Sequence, residues 1–585
     1  MAVASYDVVV VGASLGGVAA AIRAAALGAN VGILEAGTWT GGQFTSQGVC
    51  KPDENQYVET VGSTASYRDF RHRCRAYYRS TYRLSGIGAA MPLFNAGGPW
   101  DANQPQFAVE PARADAVLKA MLAESPRIAL HLSTRVTAAA VNGDRIQSLT
   151  AIGADGAATT YAGSFFLDAT DLGDLLPLVL GPSEWVIGAE AHADTGEADA
   201  AGAAHAGWVQ PITFCIALEH RPSGNYTIAK PAEYDALKAE QRYCLVDGGI
   251  STMFAGDAWR TTMWNYRRYI DARNFDDAAF PYDLSMINTA SNDYQKASIP
   301  SADPNADAAT IARAREAALG YLYWLQTECP RDDGSGNGYP ELRPNPDAFG
   351  TADGVAPVPY IRESRRIVAL KRIVESEVAK DGNSGPRAPL VTDSCGIGTY
   401  AYMDGHALKG AVPPMPGFWI DIWPVQIPAS ALVPRRLTNL LAACKNIGTT
   451  HLTNGLYRLH PLEWNVGEAA GALAAFAHSG GLLPRDVVTQ SHLLRGYQRV
   501  LVAAGVPLFW WTDVPYGDPA FAATQLAGAI GLMTGDGNSE MKFYPDTALT
   551  ADARAALVAT AGAAIPTEVA TRGAAAEWLD TQGLV

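Results

Sequence analysis

The chain has no tract rich in lysine and arginine, and 59 acidic against 44 basic residues leave a net charge of -15. That balance argues against nucleic acid as a partner and against adhesion to anionic lipid. No run of about 18 uninterrupted apolar residues occurs, so no membrane-spanning helix is expected. Cysteine is scarce: Cys50, Cys74, Cys215, Cys244, Cys329, Cys395 and Cys444 are odd in number and scattered, with no C-x-x-C. The spacing excludes a disulfide framework, a zinc ribbon and a dithiol redox pair, no metal site is expected, and a reducing cytoplasm is the simplest location. The opening MAVASYDVVVVG has no basic residues before its apolar run, which reads as a strand rather than a secretion signal. Hydrophobic residues at 48% and charged residues at 18% suit a folded chain. A length of 585 residues exceeds one ordinary core, so several domains are expected.

What is present starts at Asp7. Four β-branched residues, Val8 to Val11, predict a short strand buried on both faces. Gly12 ends it, Val18 to Leu27 has the length and alanine content of a helix closed by Gly28, and Val31 to Leu34 is a second strand that stops at Glu35. The turn GASLGG departs from G-x-G-x-x-G only at Ser14. Gly12 permits the tight turn, Gly17 lets helix and strand approach, and the helix N-terminus suits a diphosphate. Glu35 stands where a carboxylate accepts ribose hydroxyls, and no arginine follows it to favour a 2′-phosphate. This is a dinucleotide site, open at this point to NAD or FAD.

Further along, Gly41 and Gly42 let backbone run close to a flat ligand, with Thr45 and Ser46 able to bond its edges. Tyr67 to Tyr82 predicts an amphipathic helix covering the sheet, its arginines solvated in preference to forming an anion site. A strand into Val136, a hairpin at Asn142-Gly143 and a buried strand from Tyr161 to Thr170 follow. Residues 205 to 345 carry Trp208, Trp259, Trp264, Tyr266, Tyr269, Tyr294, Tyr321, Tyr323 and Trp324, mostly core by expectation, with one or two in a pocket. Arg362, Glu363, Arg365 and Arg366 follow in YIRESRRI, and DSCGIGTYAYMDGH ends at His406. NLLAACKNIG returns as a strand, and the segment before a small-residue helix starting at Asn465 reads as a loop holding His451, Asn454, Arg458, His460 and Glu463, a candidate site. The tail, 485 to 585, has helices around a G-D-G turn and resembles one S-layer homology repeat, with packing against the body the preferred reading.

Taken together, GASLGG with Glu35, GGQFTSQG, LDATDLGDLLP, YIRESRRI and NGLYRLHPLEWNVGEAAG resemble, in order, the FAD-dependent oxidoreductases of the glutathione-reductase-type class, distantly like succinate dehydrogenase flavoproteins. The fold implied is α/β. It has a Rossmann-like FAD-binding domain over 1–200 and 430–480, a parallel sheet with a β-hairpin insertion and a helical insertion at 51–125. A mixed α+β substrate domain over 201–429 and a helical C-terminal region over 485–585 complete it. The resemblance implies that Gly12, Ser14, Leu15 and Gly17 hold the pyrophosphate, and Glu35 with Ala36 the ribose. Gly42, Gln43 and Thr45 would follow the ribityl and flavin, Val136 would meet adenine through its backbone, and Thr170 with Asp174 would line the middle. Asn465, Val466, Gly467 and Glu468 would aim helix amides at the flavin pyrimidine, where a helix dipole favours the reduced, negative ring.

The leading expectation is hydride removal from a C–H bond of a small organic substrate to flavin N5. His406 and His460 are candidate bases, Arg365 and Arg458 are candidate anchors, and Asn454 is a further catalytic candidate. No second G-x-G-x-x-G follows a strand, so reoxidation would fall to oxygen, a quinone or a carrier protein. The alternatives are a monooxygenase or halogenase using externally reduced FAD, and a glycan-binding protein with structural FAD. Substrate identity and oligomeric state stay open.

Overall fold

The computed structural model describes residues 2–98, 107–245, 251–256, 262–301, 303–535 and 539–585; Trp259 and most of the G-D-G turn lie outside them. β1 (Ala2–Val11) leads through α1 (Leu15–Ala26) to β2 (Val31–Leu34). After an excursion containing α2 (Ala65–Thr81), the chain returns through β3 (Ile128–His131), the hairpin β4 (Arg135–Asn142) and β5 (Arg145–Ile152), and β6 (Ala158–Asp168). β3, β2, β1 and β6 are parallel neighbours, with Val8 opposite both Val31 and Phe165. The four valines of β1, the central strand of this Rossmann-type sheet, are all buried. β5 runs antiparallel to the first half of β6 only, Ser148 to Ile152 against Ala162 to Ala158. The other half of β6 is thereby left for β7 (Leu440–Ala442), which pairs with Phe166 to Asp168 in parallel.

Two helices follow β7, and they change one expectation. The segment read as a loop is helical: α3 (His451–Tyr457), N-capped by Thr450, and α4 (His460–Gly480), with Pro461 in its first turn. The interruption at Arg458-Leu459 is short, and prolines are tolerated where a helix begins. α4 therefore starts at His460, and the amides of Asn465, Val466, Gly467 and Glu468 are spent inside it. They cannot be offered to a flavin, which corrects the role implied for them. Their side chains pack instead. Asn465 bonds Ile397 N and Cys395 O at 3.2 Å each, and Glu468 forms a 2.5 Å ion pair with Arg23 of α1. A Cβ on Gly467 would lie 2.0 Å from Gly16 O, and one on Gly471 2.1 Å from Ala20 O, so α4 and α1 touch backbone to backbone.

Two of the five arginines of α2 also differ from expectation. Arg71 is fully buried, bound to Glu54 and Glu59, and Arg75 bonds Phe94 O at 3.0 Å and Glu59, so neither is solvated. A four-stranded antiparallel sheet orders Leu342–Pro344, Ile216–His220, Leu284–Ile287 and Arg268–Ile270. Above it, the helix Pro304–Thr327 builds a second core with Trp264, Tyr294, Tyr321 and Trp324, while Tyr269 joins the first core. Tyr402–Gly405 and Phe418–Asp421 form a hairpin beside α3. The C-terminal helices rest on the body, Tyr497 OH bonding Ala469 O at 2.9 Å and Trp510 Nε1 bonding Val425 O at 2.9 Å. No helix among the described residues is long and apolar enough to cross a membrane.

Because α1 and α4 meet through glycine backbone, a branched side chain there must push them apart. Gly467→Val is expected to destabilise the fold by about 1–3 kcal/mol or more and to lower the first thermal unfolding midpoint by several degrees. An unchanged midpoint in a calorimetric scan would contradict this packing.

Candidate functional site

One cavity lies at the C-terminal ends of the parallel strands, where an open α/β sheet binds its ligand, and a second lies beyond it across one chain segment. The first, about 450 Å³, runs from the β1–α1 turn past Glu35 and Ala36 to Gly42, with Val136, Thr170 and Asp174 along its walls. Gly12 has φ +93°, and a Cβ there would stand 2.4 Å from Ala169 O. Gly17 would place one 2.2 Å from Gly12 O, so the two glycines set the tight turn and the close helix. Ser14, where a glycine is usual, is the N-cap of α1: its Oγ accepts from Gly17 N at 3.3 Å. The Glu35 carboxylate accepts Ala13 N at 2.7 Å and Gly37 N at 2.6 Å and stays on the wall with lone pairs to spare. Burial raises its pKa against these bonds. Arg135 lines the same cavity, a cation that reading forward from Glu35 misses.

Asp171 stands on the wall beside Gly42 and Ser14, backed by buried ions. Lys445 Nζ sits 2.5 Å from Asp171 Oδ1 and 3.7 Å from Glu463 Oε2. Asp171, Cys444 and Glu463 converge closely enough for a metal, but the Lys445 ammonium already supplies positive charge among them. Gln43 is buried, donating to Arg458 O at 2.9 Å and to Glu463, with its Oε1 unpartnered. Gln47 accepts Ile361 N at 2.9 Å and leaves its Nε2 without a partner. Thr45 turns inward onto Thr40 O and lies off the cavity wall, which removes it as a ligand contact. Leu15 and Gly17 are buried in the first turn of α1.

The second cavity, about 230 Å³, is polar. One extended segment parts the two: Pro359 and Ile361 line the first, while Tyr360 and Arg362 line the second. Three carboxylates and three guanidiniums pair around it. Arg362 bonds Asp293 at 2.9 Å, Arg458 bonds Asp404 at 2.9 Å and Tyr360 OH at 2.8 Å, and Arg267 bonds Asp53 at 2.8 Å. His406 stands between two of these acids, Nδ1 2.5 Å from Asp293 and Nε2 3.4 Å from Asp404. Burial and Arg362 oppose its protonation, but Asp404 and Asp293 outweigh them and hold its pKa above the ordinary 6.5. Burial alone would raise Asp404, yet His406, Arg458 and Arg362 hold its carboxyl well below the usual range.

Of the residues singled out in the sequence, His406 and Arg458 meet here. The other three do not. Arg365 turns away, bonding Leu172 O at 3.0 Å and Asp174 at 3.2 Å beside the first cavity, so it is no substrate anchor. Asn454 is buried with its amide on Arg362 O at 3.2 Å, off the wall. His460 packs edge-on against Phe44, and burial drives its pKa to about 3, which keeps it neutral and a poor base near pH 7. Asp53, Arg267, Asp293, Tyr360 and Asp404 are not among the sequence candidates, and Arg362 is noted there only as part of its motif. Arg362 lies three residues before Arg365 in the same motif, and Asp404 two before His406, so alternation along extended chain was the available signal. Of the described aromatic residues singled out over 205 to 345, only Tyr266 reaches this wall.

The profile of the FAD dependent oxidoreductase family matches residues 7–501. The chain belongs to that family. It is an oxidoreductase whose cofactor is FAD, and the first cavity fits that group: a glycine turn where a Cβ would clash, and a carboxylate at the end of the second strand. No curated protein matches the chain. Solved structures similar to part of it include the myxobacterial chondrochloren halogenase CndH, at 13% identity and TM-score 0.24, over 38% of this chain and 45% of that one. A flavoprotein/dehydrogenase from Cytophaga hutchinsonii shows 15% identity and TM-score 0.24 over 37% and 47% of the two chains. The p-nitrophenol 4-monooxygenase PnpA from Pseudomonas putida shows 13% identity and TM-score 0.22 over 38% and 48%. The chain thus spans under half the length of each.

Glu35→Ala removes a charged acceptor and the group that orders Ala13 and Gly37. It is expected to weaken FAD binding by about 1.5–3 kcal/mol, roughly 10- to 100-fold in Kd, in titrations of apoprotein with FAD. Unchanged affinity would remove Glu35 from the site.

Proposed function

We propose that this FAD-dependent oxidoreductase works as a dehydrogenase or oxidase, taking hydride from a C–H bond of a small organic substrate while His406 takes the accompanying proton. The observation that carries this reading is an imidazole held between two carboxylates on the wall of a polar cavity, one chain segment away from the cofactor cavity. Asp293, on the short contact, fixes the Nδ1–H tautomer and the ring's orientation, and Nε2, on the looser one, is the atom for exchange with a substrate hydroxyl or amine. Arg458 and Arg362 donate hydrogen bonds to the substrate oxygen. Each guanidinium is already matched by a carboxylate, so they orient the oxygen more than they add net charge. Tyr266, Tyr360, Tyr400 and Tyr402 close the walls against water.

On this reading Gly12, Ser14, Leu15 and Gly17 hold the pyrophosphate, Glu35 and Ala36 the ribose, Val136 the adenine, and Thr170, Asp174, Gly42 and Gln43 the remainder. Bound FAD supplies the two-electron acceptor, and oxygen, a quinone or a carrier protein takes the electrons onward.

The base must be neutral to accept a proton. Since the pKa of His406 is raised, the neutral fraction grows as pH climbs past a value above 6.5, and anaerobic flavin reduction by substrate should accelerate along the same limb. Asp293→Asn removes one of the charges that raise this pKa and should move the limb to lower pH. His406→Asn should abolish the limb and slow reduction by about 10²–10⁴-fold with FAD retained. A wild-type rate in His406→Asn, or reduction of FAD only through an added reductase, would overturn the proposal.

A further inference from the structure

The inner cavity is chemically unlike an anion site. Its three guanidiniums are each bound to a carboxylate, so a substrate carboxylate reaching them would have to displace an aspartate, and the further cation on the wall, Lys409, is exposed to solvent. Two other groups on its wall point to the ligand. Asn288 is 3% exposed, and its Nδ2, a donor, has no partner; Gln295 Oε1, an acceptor, is likewise buried and unpartnered. A ligand that satisfies both must donate and accept from neighbouring positions. Hydroxyl groups do so, and they also suit the alternation of aspartate acceptors and arginine donors around the cavity. Carboxylates only accept, and hydrocarbon does neither.

A larger cavity of about 590 Å³ adjoins this one, and Tyr400 belongs to both walls. Its phenol leans toward Asp53 of the inner cavity at 3.4 Å. The outer walls carry the rings of Trp423 and Tyr57 with the uncharged polar side chains of Asn55, Gln56 and Thr399. Its two ionic residues are engaged: Glu54 binds Arg71 and the Tyr67 hydroxyl, and the Lys380 ammonium lies 5.3 Å over the Trp423 ring. At 230 Å³ the inner cavity falls below the range of about 300–1,000 Å³ usual for small-molecule sites, while the two together fall within it.

We propose that the two cavities form one cleft for a neutral, polyhydroxylated substrate of at least two linked units, the reacting unit beside His406 and the next against Trp423. The placement of the reacting unit rests on the hydride-transfer reading above; the outer subsite does not. Flat aromatic rings bury the apolar faces of polyhydroxylated rings while amides meet their edges, and Tyr400 joins the inner cavity to this outer one.

Calorimetric titration of the oxidised FAD-loaded protein with glucose, xylose and mannose, and with cello-, malto-, xylo- and mannotetraose, tests this without turnover, with benzoate and mandelate as anionic controls. At least one tetrasaccharide is expected to bind more tightly than its monosaccharide, and Trp423→Ala should lower that ratio by about tenfold. Asn288→Ala should weaken both members of the pair. Gln56→Ala is a milder second probe of the outer wall should Trp423→Ala lose FAD. No binding across the sugar panel, tighter binding of the anions, or a ratio unmoved by both outer-wall variants would overturn the proposal. A Trp423-dependent ratio with no flavin reduction by any sugar would instead overturn the hydride-transfer reading and leave the cleft standing.

Discussion

The arrangement depends on the contact between α1 and α4. Gly16 and Gly467 approach so closely that a side chain at either position would enter the other helix's backbone or the strand beside it, and Ala20 with Gly471 repeats the pattern one turn on. This contact brings residues more than 400 apart in the chain to the same end of one sheet. Gly16 N reaches Glu463 Oε1 at 3.4 Å, and Gln43 reaches Arg458 O, so the nucleotide turn, the glycine-rich loop after Glu35 and the wall of the polar cavity are one bonded unit. Any loosening between the helices is transmitted to Arg458, and through its bonds to Asp404, to the setting of His406.

The charges in the polar cavity follow a consistent logic. Isolated buried ions are costly, and these are paired two by two, with tyrosine hydroxyls and backbone carbonyls taking further donors while Arg267 Nε and Arg458 Nε stay unpartnered. The one group left with two acids and no basic partner of its own is His406. Its raised pKa comes from that imbalance and needs no special environment beyond it. The same pairing neutralises the arginines, which makes the cavity a place for alternating hydrogen bonds more than for an anion.

The nucleotide half was legible in the sequence because its signals are local. Val8 to Glu35 carries strand, turn, helix and acid within one βαβ unit, and the Asn142-Gly143 hairpin is equally self-contained. Ser14 looked like a defect in the glycine motif and is a helix cap. The polar cavity was harder to read, since Asp53, Arg267, Asp293, Arg362, Asp404 and Arg458 come from six separate stretches and only the fold makes them neighbours. Arg365 and Arg362 differ by a half-period of extended chain, which composition cannot resolve, and the outward one was chosen. The helix start at His460 was hidden by Pro461 and by the break at Arg458, so amides were assigned to Asn465 onward, five residues too late.

The central claim is that the late helices set the polar cavity against the reacting end of the cofactor. A crystal structure of the FAD-loaded protein tests it most directly. The account expects adenine beside Glu35 and Val136, and the flavin ring against the wall shared by Tyr360, Arg458 and His406. A flavin ring turned away from that cavity, toward Leu178 and the outer surface, would contradict it.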